Sequence, residues 1–369
     1  MEVGDLKPAQ VWKAQYRGLV RLLLFFTGQT HDLLNQMADE ARMAIVREAG
    51  DDGELDGLGY LRAQRQLLDL WADTFKAWKR QFEILQAEAA AIAYGGLCAL
   101  HENYVRPALE KTLHEATADN LFDRLLRSVA GAAQRRIYED GLNLSARIWR
   151  LDHQSRAGLE QVLANGVANR KSAYAIAGDL EAYLGPGRDC PRWTTTRLGL
   201  TKTQIAAGDL RGLKSGGACR GQGVAYNALR LARNEYQIIH GMATDDVMQA
   251  LPFVEQEQIS LSPSHPERDR CDEVVTGGEG GRGIYPKGTI QLPIHVQCLC
   301  IKTAVLMKPA EFTDRLRAWR NGSQAWPAMD SYADYLGGDV GIGLGGTAVL
   351  ETLLRWASGT VDEMQSTVQ

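Results

Sequence analysis

The chain has 369 residues, 45% hydrophobic and 23% charged, with a formal net charge of -4. A pI near 6.0 excludes a broadly cationic nucleic-acid coat, since phosphate backbones are held mainly by Lys and Arg. The run LLLFF at 22–26 is far short of the ~20 apolar residues that span a bilayer, so no membrane anchor or export signal is expected. The six cysteines, at 98, 190, 219, 271, 298 and 300, are mostly far apart, which excludes a secreted disulfide framework and points to a reducing cytoplasm as the place of synthesis.

The segment GDDGELDGLG at 50–59 is acidic and glycine-rich and predicts a loop. From Leu61 to about Tyr183 the chain predicts helix after helix. Leu67, Leu68, Trp71, Phe75, Trp78, Phe82 and Leu85 recur at three- and four-residue steps with charged residues between them. Small residues at 87–96 allow close helix packing, and Pro107 suits the first turn of a following helix. Gly185, Pro186, Gly187 and Pro191 end the periodicity and mark the best domain boundary.

Beyond it, VAYNALRLARNEYQIIHGM predicts a helix, VEQEQISLS a strand, and CLCIKTAVL a second strand. AEFTDRLRAWRNG predicts a helix after Pro309, followed by a glycine-rich hinge, GGDVGIGLGG, and a last helix, TAVLETLLRWASG. The fold class expected is α+β. A helical domain over 1–185 precedes a small α+β domain over 186–307, and a helical extension with its hinge occupies 308–369.

Several familiar-looking patterns carry no chemistry. Gly341, Gly343 and Gly346 spell GxGxxG, but only one helix and no strand can follow, so a dinucleotide site is not expected. GDLRGLKS at 208–215 misses the P-loop spacing. Asp245 and Asp246 suggest solvation or capping, and Arg211, Arg220, Arg230 and Arg233 read as a solvated scatter. No catalytic set stands out, and no enzyme activity is expected.

The stretch 261–300 is different. His265, Cys271, His295, Cys298 and Cys300 place five ligand-type side chains within 36 positions, and zinc takes four such ligands in a tetrahedron. In an extended strand Cys298 and Cys300 face opposite sides, which makes His265, Cys271, His295 and one of those cysteines the economical set. The competing reading is reduced cysteines in a small core, with the histidines in polar contacts.

As an ordered unit, LSPSHPERDRCD, then GIYPKG, then PIHVQCLC resembles the signature of the Mu F-like phage head morphogenesis (minor head, or minor capsid) proteins. ALRLARNE at 228–235 and KSAYAIAGDLEAYLGP at 171–186 are similar to elements that precede it in that family, so the resemblance covers about 172–304. Val296 stands where the family has proline, and Asn234 where threonine is usual. The resemblance implies a structural, portal-associated component of a virion head, made in the host cytoplasm and acting in head assembly and DNA packaging or ejection. It implies several copies per particle, with portal and other head proteins as partners, packaged DNA within reach and no membrane. Any zinc would be structural. The alternatives are a zinc-dependent nucleic-acid-binding protein or nuclease, and a bacterial effector carrying the same module.

Overall fold

The structure, a computed structural model, describes residues 7–107, 140–185, 223–262, 268–295 and 300–336, with isolated positions at 132, 135–138, 265 and 298. The GxGxxG glycines, the GDLRGLKS segment, Cys190 and Cys219, the helix expected after Pro107, the C-terminal hinge and the last helix lie outside these residues.

Two long helices, α1 (Pro8–Arg47) and α2 (Gly57–Leu100), form an antiparallel hairpin. Its closed end is the predicted loop, from which Asp56 Oδ1 accepts the Gly59 N–H at 2.5 Å and starts α2. The expected periodicity becomes an aromatic ladder: Trp71, Phe75, Trp78 and Phe82 stack in sequence, with centroids 5.4, 5.6 and 5.2 Å apart. Phe26 of α1 meets Trp78 and Phe82 edge-on. Such contacts add to the area burial that drives the packing. At the other end, Gly96 leaves room for Gln15, whose amide donates to the Ala93 carbonyl at 2.8 Å. The helix then widens into a π-helical turn, His101–Val105.

Helices α3 (Leu144–Ala168) and α4 (Ala173–Leu184) begin at side-chain caps, Asn143 and Ser172. They pack on the hairpin's closed end through Leu159, Leu163, Ile176 and Leu180, which meet Leu34, Met37, Leu67 and Trp71. The Trp71 indole N–H, 2.7 Å from Asp152 Oδ1, pins α2 to α3.

Helix α5 (Gly223–Ala250) runs through the middle and is buried on most of its circumference. Its first half shares cores with α1, α2, α3 and α4, and its second half shares one with Phe253, Ala304, Phe312 and Trp326. The helices on the two sides of the expected boundary at 185/186 are thus joined by continuous apolar packing. Arg233, expected on a solvated face, is 1% exposed in this helix, so that expectation is corrected. A helix enclosed all round must place some of its polar residues inside, where they need neighbours to satisfy them.

The α+β class is observed. A three-stranded antiparallel sheet has the order β2-β1-β3, with β1 Val254–Ser260, β2 Ile284–Pro286 and β3 Ile301–Leu306. A bulge between Val254 and Gln256 shifts the side-chain parity, so Val254, Glu257 and Ile259 all point inward. A short helix, α6 (Arg270–Val275), lies between β1 and β2. Helices α7 (Pro309–Arg320) and α8 (Pro327–Leu336) close the described chain. Tyr332 of α8 hydrogen-bonds His101 at the π-helical turn. No helix among the described residues is long and apolar enough to cross a membrane.

Candidate metal centre

The predicted motif folds back on itself so that its pieces meet. Asp269 and Asp272 form a reciprocal cap at the start of α6: Asp269 accepts the Cys271 N–H at 2.7 Å, and Asp272 accepts the Asp269 N–H at 2.8 Å. This cap orients Cys271, which is fully buried. The segment between β2 and β3 then brings His295 Nε2 to 3.1 Å and Cys298 Sγ to 3.7 Å from Cys271 Sγ. The ligand atoms of Cys271, His295 and Cys298 all lie within 4.8 Å of one another, a set able to hold a metal ion.

Cys300 lies next to this set but is not part of it, so of the two cysteines Cys298 is the one brought to Cys271 and His295. The strand begins only at Ile301, and Cys298 sits in a turn closed by its N–H on the His295 carbonyl at 3.0 Å. Both cysteines are 2% exposed, and the Cys300 N–H points at Cys298 Sγ at 3.5 Å. The Gln237 amide of α5 donates to the Cys300 carbonyl at 2.9 Å and holds the turn against the central helix.

His265 goes elsewhere. Its Nε2 is 2.9 Å from Asp272 Oδ2 and 3.7 Å from Asp269 Oδ1, while the other oxygen of Asp269 is 3.1 Å from His295 Nε2. Asp269 thereby bridges the two histidines, and His265 stands outside the thiol cluster as a partner of its carboxylate neighbours.

Three thiols in one apolar pocket cannot behave alike. Cys298 is pulled down to about 5, first because the Cys300 thiol donates to it, then because backbone N–H groups of Cys300 and Ile294 also point at it. Cys300 is pushed up by giving its proton to that bond and by burial, and Cys271 by burial and the neighbouring Cys298 charge. Of the three thiols, Cys298 is the one whose surroundings favour the thiolate that a metal needs.

The dimensions suit zinc. Ligands at about 2.3 Å in a tetrahedron put two sulfurs about 3.8 Å apart, against the 3.7 Å between Cys271 and Cys298. Two sulfurs and one imidazole, from Cys271, Cys298 and His295, are ligand types that zinc takes. The same cysteines also belong to a small apolar cluster with Ile259 and Leu292, flanked by Val274 and Tyr285. A metal there would tie α6 to the turn before β3.

The rest of the motif is scaffolding. In YPKG, the Tyr285 hydroxyl donates to the Val274 carbonyl at 2.7 Å. The Lys287 ammonium reaches the carbonyls of Met248, Gln249 and Leu251 at 3.0, 3.3 and 3.2 Å, capping the C-terminal end of α5. The N–H groups of Gly288 and Ile290 both donate to the fully buried Glu257, at 2.9 and 2.7 Å.

Lys302 completes this network. Its ammonium lies 3.1 Å from Glu257 Oε2 and also bonds Asp245 and the Ile290 carbonyl. Asp245, expected to be solvated or capping, is instead mid-helix and ion-paired, because it faces the only buried lysine among the described residues. Nothing in the residue pattern singled out Lys302 or Glu257. The one available signal is the alternation of VEQEQIS, which places Glu257 on the same strand face as Ile259.

No family model matches the chain, and no curated protein or solved structure matches it either.

Proposed function

We propose that the chain is a structural minor head protein of a tailed phage or prophage particle, associated with the portal and acting in head assembly and DNA packaging or ejection. The observation that carries the reading is the ordered motif from Leu261 to Cys300, which resembles the Mu F-like signature in both residue order and spacing. Its polar and thiol side chains go into holding one small unit together: Cys271, His295 and Cys298 in a thiol-imidazole centre, Lys287 on a helix end, Tyr285 on a backbone carbonyl. Two buried thiols beside an imidazole, on a capped scaffold, support assembly rather than turnover.

The centre takes zinc as a structural ion, with Cys271, Cys298, Cys300 and His295 as its ligands. The long hairpin of α1 and α2 provides the helical surface that meets the portal and other head proteins, in several copies per particle. The test is quantitative mass spectrometry of purified heads from the particle whose genome encodes the chain. The reading expects the chain in the head fraction together with the portal. Wild-type heads that lack the chain, together with normal assembly after its deletion, would overturn the reading.

A further inference from the structure

A cleft of about 290 Å³ lies between α3 and α5, and none of its lining residues belongs to the cysteine centre. The two helices line it at the same spacing, i, i+3 and i+7, which keeps three side chains of each on one face. From α3 these are Arg147, Arg150 and Gln154, and from α5 they are Asn227, Arg230 and Asn234. Asp140 is the single acid on the lining, so three guanidiniums face one carboxylate in a chain whose overall charge is -4.

One of those guanidiniums is fixed in place. The loop before α3 is closed by the Gly141 N–H on the Tyr138 carbonyl and the Tyr138 N–H on the Leu142 carbonyl, both at 2.9 Å. Within it, Asp140 accepts the Leu142 N–H at 3.2 Å and Arg147 Nη2 at 3.0 Å. Arg147 lies over the Tyr138 ring, 3.8 Å from its centroid, and the Tyr138 hydroxyl donates to Glu235 of α5. The Arg147 side chain keeps 26% of its surface open to solvent, and Arg150 and Arg230 are exposed.

The lining suits a multiply charged phosphate better than a carboxylate. Three guanidiniums less the one carboxylate of Asp140 leave two positive charges for a ligand to meet. Phosphate oxygens take the paired donors of a guanidinium fork, and side-chain amides add single N–H donors for the oxygens that remain. The volume lies near the lower end of the ~300–1,000 Å³ usual for small-ligand sites, more than one phosphate group fills. The face of α3 from Arg147 to Gln154 runs about 10 Å at ~1.5 Å per residue, long enough for phosphates in a row.

From this arrangement we infer that the cleft between α3 and α5 binds a small anion carrying two or more linked phosphate groups, with Arg147 as the fixed anchor and Arg150 and Arg230 contacting it from the two helices. The inference rests on neither the metal centre nor the head assignment and stands or falls without them.

The test is isothermal titration calorimetry of the full chain at low salt with inorganic phosphate, pyrophosphate, a nucleoside triphosphate and a short oligothymidylate. Wild type binds pyrophosphate and the triphosphate more tightly than inorganic phosphate, and the affinity falls as salt is added. The double variant R150E/R230E weakens pyrophosphate binding at least about tenfold, since each charge-assisted contact is worth more than a neutral one. The milder R150Q/R230Q, which reverses no charge, weakens it at least about fivefold. The control K79E/R80E, at exposed residues of α2, changes little. Far-UV circular dichroism of each variant keeps a folding defect apart from a binding defect. Four results would overturn the inference: no pyrophosphate binding at low salt, equal losses in the control, inorganic phosphate bound as tightly as pyrophosphate, or the oligothymidylate bound through these arginines while pyrophosphate and the triphosphate are not.

Discussion

Changing Lys302 to methionine removes the buried cation on which β1, β3, α5 and the turn after β2 converge. Lys302 and Glu257 are 3% and 0% exposed, so the carboxylate cannot turn to water once its partner is gone. Breaking a buried pair from one side costs about 3–5 kcal/mol, because the other charge is left behind. Here Glu257 keeps two backbone donors, Gly288 and Ile290, and Asp245 has a side chain 25% exposed that water can reach. Both facts place the loss at the lower end, about 3 kcal/mol. Urea denaturation followed by far-UV circular dichroism at pH 7 measures it for Lys302→Met, Glu257→Gln and the double variant. The single changes should each be severe. The double should cost less than their sum by about 1–3 kcal/mol, since it removes both fully buried charges and leaves only the part-exposed Asp245 without its lysine. A Lys302→Met protein within about 1 kcal/mol of wild type, or strictly additive changes, would refute the reasoning.

Three further outcomes are expected. Cys271→Ser and Cys300→Ser each lower zinc affinity more than ~100-fold, beyond what changes around the ligands do, whereas His265→Ala keeps one ion per chain in metal analysis; loss of the ion in His265→Ala would return that residue to the ligand set. His240 is buried, which lowers its pKa to about 4, while in the unfolded chain it takes its proton near pH ~6.5. The unfolded state therefore binds more protons between those values, so stability falls as pH drops from ~6.5 to ~4, by at most about 3 kcal/mol. The stability difference between wild type and His240→Leu should shift across that window, and a pH-independent difference in paired urea titrations would contradict it. Gly283 has φ +67, and a Cβ there would come within 2.6 Å of the Ile259 carbonyl oxygen and 2.9 Å of that of Val275. Gly283→Ala should cost at least about 2 kcal/mol in the same titration.

Much of the architecture is legible in the residues because hydrophobic period and turn chemistry act locally. Trp71, Phe75, Trp78 and Phe82 announce a helix face whatever they pack against, and Gly50, Gly53 and Gly57 announce the loop before it. The parts that are not legible depend on three-dimensional enclosure. Arg233 looks like any surface arginine until α5 is seen to be surrounded. The inward turn of Val254 together with Glu257 needs a bulge that alternation does not reveal.

The centre divides the same way. Cys271, His295, Cys298 and Cys300 are visible as ligand types. Which of them come together depends on the turn before β3, which starts only at Ile301 and so leaves Cys298 outside the strand. His265 was drawn off by a carboxylate cap whose members, Asp269 and Asp272, are recognisable as a helix start.

Zinc-edge X-ray absorption on the full chain, purified without chelator, tests the central claim about the cysteine unit most directly. The account predicts one zinc per chain with three sulfurs at about 2.3 Å and one nitrogen at about 2.0 Å. A chain that retains no metal, or a shell of nitrogen and oxygen only, would contradict it.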